Sequence, residues 1–258
     1  MSVLESIVAG VLLDQEKRLL SDSELEARIN SAPTVRDPLL SLRKNKFSVI
    51  AEVKRSSPSK GALAEISHPE SLAMDYQSAG ASVVSVLTEE RRFGGSLADF
   101  DAVRKSVTIP MLRKDFMVNE FLIRESRAHG ADLILLIVAA LSDPELEQLF
   151  SLTQSLGMRA LIEVHDESEL NRALALSPEI IGINSRNLHS LEVDINAFDR
   201  LLPLIPDHIY KVAESGISSL DDAKRAHDAG ADAILVGEAL VRAESPRDLI
   251  ESFIGIDR

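Results

Sequence analysis

The chain has 258 residues, 45% hydrophobic but only 4% aromatic, and carries a formal net charge of -13. That surplus of acid repels polyanions at long range, which sets aside nucleic acid and anionic membranes as main partners while leaving room for a small anion in a locally basic pocket. With no cysteine, disulfides, thiolate nucleophiles and zinc–thiolate sites drop out together, and the longest apolar run, 133–141, reaches only about half a membrane span.

A cytoplasmic protein is expected, its core filled by Val, Ile, Leu and Ala. Such a core suits a parallel sheet covered on both faces by helices. Residues 1–47 read as an N-terminal helical extension. Residues 2–19 are helical in pattern, 22–29 form a second charged helix, and Pro33 and Pro38 punctuate the approach to the first strand. The extension is too small to bury its own core and is expected to pack on the main domain, 48–258.

From Ser48 onward, short β-branched runs alternate with charged amphipathic segments. Strands are predicted at 48–54, 82–87, 110–114, 132–137, 159–163, 180–184, 209–213 and 233–236. Their starts lie about 21 to 34 residues apart, room for one strand, one crossover helix and two loops. Asp166 ahead of Glu169 and Ser219 ahead of Asp222 read as helix N-caps. Ala79-Gly80-Ala81, His129-Gly130-Ala131 and Ala229-Gly230-Ala231 repeat one helix-exit device. Together these predict an α/β fold, a (β/α)8 TIM barrel with an N-terminal helical extension. An open doubly wound sheet would want a glycine-rich loop after its first strand, and 48–61 holds a single glycine.

The functional signal is polar residues where strands should be greasy. In a closed barrel the carboxyl ends of the strands form the catalytic face, and strand side chains alternate with period two. Glu52 and Lys54 therefore share a face. Lys114 ends the third strand, Glu163 the fifth, Asn184 the sixth with Arg186 beyond it, and Glu214 follows the seventh. Any one such charge commonly just meets solvent. Five strand ends with converging acids, bases and an amide do not fit a purely structural core, since burying charge costs several kcal/mol unless partners satisfy it.

A second signal lies in the last two units, Glu214-Ser215-Gly216-Ile217 and Val236-Gly237-Glu238. Phosphate sites of such barrels sit after strands seven and eight, so Ser215, Gly216, Gly237 and the backbone N–H of Glu238 are candidate phosphate ligands. The hydroxyl-rich loop after strand one offers Ser57 and Lys60 to an anion, Phe93 and Phe116 are candidates to cover an apolar ring, and Pro58 and Leu188 are further substrate-binding candidates. Of the histidines only His165, just after strand five, is placed near the pocket. No zinc-binding His pattern and no nucleophile elbow occurs, and no metal is expected. A Schiff-base role for Lys114 or Lys54 stays open, because desolvation beside another cation lowers a lysine pKa.

The same segments closely resemble the indole-3-glycerol phosphate synthase family. The matching phrases are Ile50-Ala51-Glu52-Val53-Lys54-Arg55-Ser56-Ser57-Pro58-Ser59-Lys60-Gly61, Phe93-Gly94-Gly95-Ser96, Leu112-Arg113-Lys114-Asp115-Phe116, Ile162-Glu163-Val164-His165, Gly182-Ile183-Asn184-Ser185-Arg186-Asn187-Leu188, Ala213-Glu214-Ser215-Gly216-Ile217 and Leu235-Val236-Gly237-Glu238. The resemblance implies a carbon–carbon lyase of tryptophan biosynthesis. It would close the ring of 1-(2-carboxyphenylamino)-1-deoxyribulose 5-phosphate to give indole-3-glycerol phosphate, CO2 and water, without a cofactor.

On that resemblance Lys114 is the general acid at the C2 oxygen and Glu163 the general base of the dehydration. Lys54 pairs with the substrate carboxylate, the division of acid steps between the two lysines staying open. Glu52, Asn184 and Glu214 orient the reacting centre, Arg186 favours the anionic substrate, and Ser57, Ser215, Gly216, Gly237 and Glu238 line the phosphate side. The working form is expected to be a monomer, with a weak dimer as the alternative. An isomerase or aldolase on the same barrel, or a silent scaffold, are the rival readings.

Overall fold

The computed structural model describes residues 2–188 and 190–257. Eight parallel strands close a barrel: β1 (Ser48–Val53), β2 (Val83–Leu87), β3 (Met111–Lys114), β4 (Leu133–Ile137), β5 (Arg159–Val164), β6 (Ile180–Asn184), β7 (Tyr210–Glu214) and β8 (Ala233–Val236). Each strand pairs with its sequence neighbours, and β1 closes the ring on β8, with Ser48 opposite Ala233 and Ala51 opposite Val236. The helices between strands cover the outside. They are α4 (Pro69–Ser78), α5 (Leu97–Ser106), α6 (Glu120–Ala128), α7 (Asp143–Ser155), α8 (Glu167–Leu174), α9 (Asn196–Leu201) and α10 (Leu220–Asp228), with α11 (Glu238–Arg242) and α12 (Pro246–Ile254) closing the chain. No helix among the described residues is long and apolar enough to cross a membrane.

The strands are buried along nearly their whole length, as a sheet sandwiched between barrel interior and helix layer requires. The predicted caps form: Asp166 accepts from the Glu169 N–H at 2.8 Å, and Ser219 from the Asp222 N–H at 3.2 Å. Gly80, Gly130 and Gly230 all end their helices at positive φ, between 85° and 103°, where a Cβ would be strained.

Three differences from the predicted elements bear on function. Lys54 lies just past β1 rather than in it, whereas Glu214, expected beyond the seventh strand, is the last residue of β7 and pairs in register with Asn184. The segment after β1 is not an open turn. Ser56–Ser57 and Gly61–Ala62 form a small antiparallel hairpin, tightened by Lys60 N–H donating to the Ser57 carbonyl at 3.4 Å.

Ahead of the barrel come α1 (Val3–Glu16), α2 (Asp22–Ser31) and α3 (Pro38–Leu42). Helix α1 starts at a capping box between Ser2 and Glu5 and buries Leu4, Ile7 and Val11 against the barrel. Arg18, following α1, donates to Glu125 Oε1 on α6 at 3.0 Å. Glu125 also receives Arg113 Nη2 of β3 at 3.0 Å, and Arg113, fully buried, donates further to Thr88 and Ser126. Arg113 thus points outward into the helix layer, the opposite way from Lys114.

An Arg113→Met protein is expected to lose about 3 to 5 kcal/mol of stability, because Glu125 and Asp115 stay buried with their main counter-charge gone. Urea unfolding measures this. A midpoint equal to that of the wild type would mean the network contributes nothing.

Candidate functional site

Alternation along the strands places the polar residues at the carboxyl-end mouth. Lys114 Nζ stands 3.6 Å from Glu163 Oε2 on β5 and 3.6 Å from Glu214 Oε2 on β7. Glu163 and Glu214 are each 1% exposed, and neither Glu163 Oε2 nor either Glu214 oxygen has an aligned hydrogen-bond partner. These carboxylates face the cavity. Across the mouth, Lys54 Nζ is 3.4 Å from Glu52 Oε1 and 5.6 Å from the centre of the Phe93 ring. Phe93 and Phe116 face each other with ring centroids 6.2 Å apart.

The charges are unequally held. Burial alone would lower the Lys114 ammonium, but Glu163, Glu214 and Glu52 outweigh it and hold the amine above its ordinary value. A lysine kept so firmly charged is a poor Schiff-base nucleophile and a good preorganised cation, so this residue does not favour the imine alternative. Burial alone would raise Glu163, yet Lys114 and then His165 hold it below the ordinary carboxylate range. Glu214 goes the other way, raised by burial and then by the charge of Glu163. Two carboxyls sharing one site cannot both ionise cheaply.

The mouth has two connected lobes. One is walled by Phe93, Phe116, Pro58 and Leu188 and floored by Glu52, Lys54, Lys114, Glu163 and Asn184. Ser57 and Arg186 stand at its edge. The other, wider and more open, lies over Glu214, Ser215, Gly216, Gly237 and Glu238, with Lys60 and Arg242 at the rim. The catalytic, substrate and phosphate candidates singled out from the sequence all gather on these two lobes, whereas His165 lines neither and stands against Glu163.

Several are held by their neighbours. Asn184 Oδ1 accepts the Arg186 N–H at 3.0 Å. Arg186 Nη1 donates to Ser59 in the β1 hairpin at 3.1 Å and to the Leu191 carbonyl at 2.9 Å. Leu191 itself is strained at φ 62°. The Glu238 side chain pairs with Arg242 at 3.2 Å, which leaves its backbone rather than its carboxylate to meet an anion.

Gly216 has φ 72°, and a Cβ there would stand 2.8 Å from Val193 Cγ1. At Gly237 the crowding atom is Glu52 Oε1, 2.6 Å from where a Cβ would sit, so this glycine makes room for a carboxylate of the mouth itself. Among the described residues no cluster of three or more His, Asp and Glu side chains is disposed to hold a metal ion.

Two contributions escaped the sequence reading, and a third, His165, was placed near the pocket without a role. Val3, Leu4 and Ile7 of α1 complete the apolar lobe, a contact across the whole chain that no local pattern announces. Gly182 sits in β6 beside Glu214, and a Cβ there would collide with Glu214 Oε1. His165 stands with Nε2 3.3 Å from Glu163 Oε1. Its signal was present: residues 163 and 165, two apart along a strand direction, share a face.

A Gly182→Ala protein is expected to fold with at most about 1 to 3 kcal/mol of overpacking strain. It should nonetheless turn over at least about tenfold more slowly, since Glu214 must leave its place beside Lys114. Paired melting and rate measurements check this, and an unchanged rate would show that the Glu214 position is not demanding.

The chain matches the family model for indole-3-glycerol phosphate synthase over residues 4–253. Curated proteins of that description resemble it along their length. The one from Saccharopolyspora erythraea is 52% identical, with 98% of this chain and 95% of that protein covered. The one from Paenarthrobacter aurescens is 54% identical, with 98% and 96% covered. Among solved structures, thiamine phosphate pyrophosphorylase from Pyrococcus furiosus superposes with a TM-score of 0.61 at 16% identity, covering 83% of this chain and 96% of that one, a likeness of fold alone.

Proposed function

The chain belongs to the indole-3-glycerol phosphate synthase family, enzymes that close the indole ring with loss of CO2 in tryptophan biosynthesis, and from that premise we propose how its mouth performs the reaction. The substrate is 1-(2-carboxyphenylamino)-1-deoxyribulose 5-phosphate. Its phosphate lies in the wider lobe, on Ser215, Gly216, Gly237 and the backbone N–H of Glu238. Its aromatic ring lies in the narrower lobe against Phe93, Phe116, Pro58 and Leu188. Lys54 pairs with the ring carboxylate, and Ser57 and Arg186 favour the anionic ligand at the edge.

Attack of the ring carbon on the C2 carbonyl interrupts aromaticity and puts negative charge on oxygen. A fixed ammonium stabilises that charge more than it stabilises the ground state. Lys114 supplies it and gives up a proton to the oxygen as the C=O π bond breaks and the carbonyl becomes C–OH. Loss of CO2 then restores the ring. Once Lys114 has given its proton away, Glu163 loses the cation that held it weakly basic and becomes a better base for the proton removed in dehydration. The C2 hydroxyl takes a second proton from one of the two lysines, recharged from solution, and leaves as water, while Glu163 hands its proton back to Lys114. Because a carboxylate departs as neutral CO2, each turnover takes up one proton from solution. Glu52, Asn184 and Glu214 keep the reacting centre in line.

The observation that carries this reading is Lys114 suspended 3.6 Å from each of two buried carboxylates, below an apolar wall. The division of labour gives the catalytic barrel to residues 48–258 and the packed extension to 1–47. The enzyme works as a cytoplasmic monomer, without cofactor, nucleic acid or membrane partner. Mixing the protein with the anilino-ribulose phosphate should give indole fluorescence and one CO2 per product. Absence of both signals at micromolar enzyme would overturn the reading.

A further inference from the structure

His165 links the reacting cluster to a second carboxylate. Its ring Nδ1 is 2.9 Å from Glu169 Oε2, and the same oxygen accepts the His165 backbone N–H at 2.8 Å. Glu169 is fixed in turn in the first turn of α8, where Asp166 caps its N–H. Two contacts to one oxygen set the ring plane and aim Nε2 at Glu163 Oε1, 3.3 Å away. Nε2 is buried and has no aligned hydrogen-bond partner, so the contact acts through charge and proximity.

We infer that His165 is a positioning residue for Glu163. With Glu169 behind it, it holds a positive charge on the far side of that carboxylate from Lys114, and so makes Glu163 rather than Glu214 the ionised member of the pair. Burial would discharge the imidazole, but Glu163 and Glu169 raise it to about 10, so the ring is an imidazolium near neutrality. The groups around this point are Glu163 of β5 and Glu169 of α8 against His165. Lys114 of β3, Asn184 of β6 and Glu214 of β7 surround Glu163, with Glu52 of β1 beyond Lys114. A clamp of this kind matters because the wrong glutamate, once ionised, would sit beside Lys114 without being aimed at the departing proton.

The inference rests on the reading of Glu163 as the base, and the test separates the two. Steady-state rates across pH would be measured for His165→Ala, His165→Gln, Glu169→Gln, the His165→Ala/Glu169→Gln double variant and Glu163→Gln, with melting temperatures alongside. Removing the cation makes Glu163 easier to protonate. The acid limb of the His165→Ala profile should therefore move up by about one pH unit, and because Glu163 is no longer steered from its Oε1 side, kcat at neutral pH should fall about tenfold with KM nearly unchanged.

His165→Gln, which offers a donor without charge, should restore the melting temperature yet keep the displaced limb. Glu169→Gln should shift the limb in the same direction, and the double variant should be no slower than His165→Ala. A wild-type kcat and acid limb in both His165 variants would overturn the inference while leaving the base intact. So would a rise in KM alone, or a fall in melting temperature with the limb unmoved. Near-normal turnover in Glu163→Gln would instead overturn the reading of the base.

Discussion

Lys114→Ala is expected to turn over about 10²- to 10⁴-fold more slowly than the wild type, the range that general acid catalysis supplies. KM should stay within a few fold, because the phosphate and ring lobes that hold the substrate do not include this amine as their main contact. The reason is geometric. The ammonium is already in place between Glu163 and Glu214, each 3.6 Å from it, so no reorganisation is needed when charge develops on the C2 oxygen. Lys114→Arg sharpens the test. A guanidinium keeps the positive charge but does not release a proton in this pH range. If arginine recovers most of the rate, the lysine acts as a fixed charge alone. If it stays as slow as alanine, proton donation is the larger part. Indole fluorescence in the steady state reads both variants.

Glu163→Gln should cost a similar factor, about 10²- to 10⁴-fold in overall turnover, through a different step. The amide keeps the size of the side chain and removes the base. Condensation and loss of CO2 need Lys114 and the ring slot, both still present. CO2 should therefore appear in the first turnover while indole formation lags behind it. Rapid-quench measurement of both products decides the matter. Simultaneous loss of both would place Glu163 in the earlier step. The substitution should also release Glu214, whose raised carboxyl owes part of its displacement to the charge of Glu163, and Glu214 should then ionise at lower pH.

The barrel and its inward-facing ends were legible because period two is strict. Glu52, Glu163 and Asn184 each follow a run of small or aliphatic residues, Lys114 closes its strand after Arg113, and alternation sends all four to one side. The ends of the strands were less legible. Lys54 and Glu214 fell on the wrong side of a boundary, since hydrogen-bond registers, not side-chain types, decide where a ladder stops.

What could not be read were contacts made across the chain. The apolar side chains of Val3, Leu4 and Ile7 look like any amphipathic helix until the barrel provides a mouth for them to cover. Gly182 looks like an ordinary strand glycine, and Gly237 reads as a phosphate contact, not as room for a carboxylate. Their purpose depends on Glu214 and Glu52, which arrive from other strands. His165 carried a period-two signal, but its contact with Glu163 is fixed only by the local bond to Glu169, four residues on, at the start of α8.

Arg113 and Lys114 are adjacent cations of nearly equal reach, yet β3 sends them to opposite sides of the barrel wall. Sliding this strand by a single residue would exchange them. The guanidinium would then crowd the mouth, and the amine would be left to satisfy Glu125 and Asp115, which it cannot span as a planar fork does. Charge on both sides of the wall therefore pins the strand against slippage, independently of how its aliphatic residues pack.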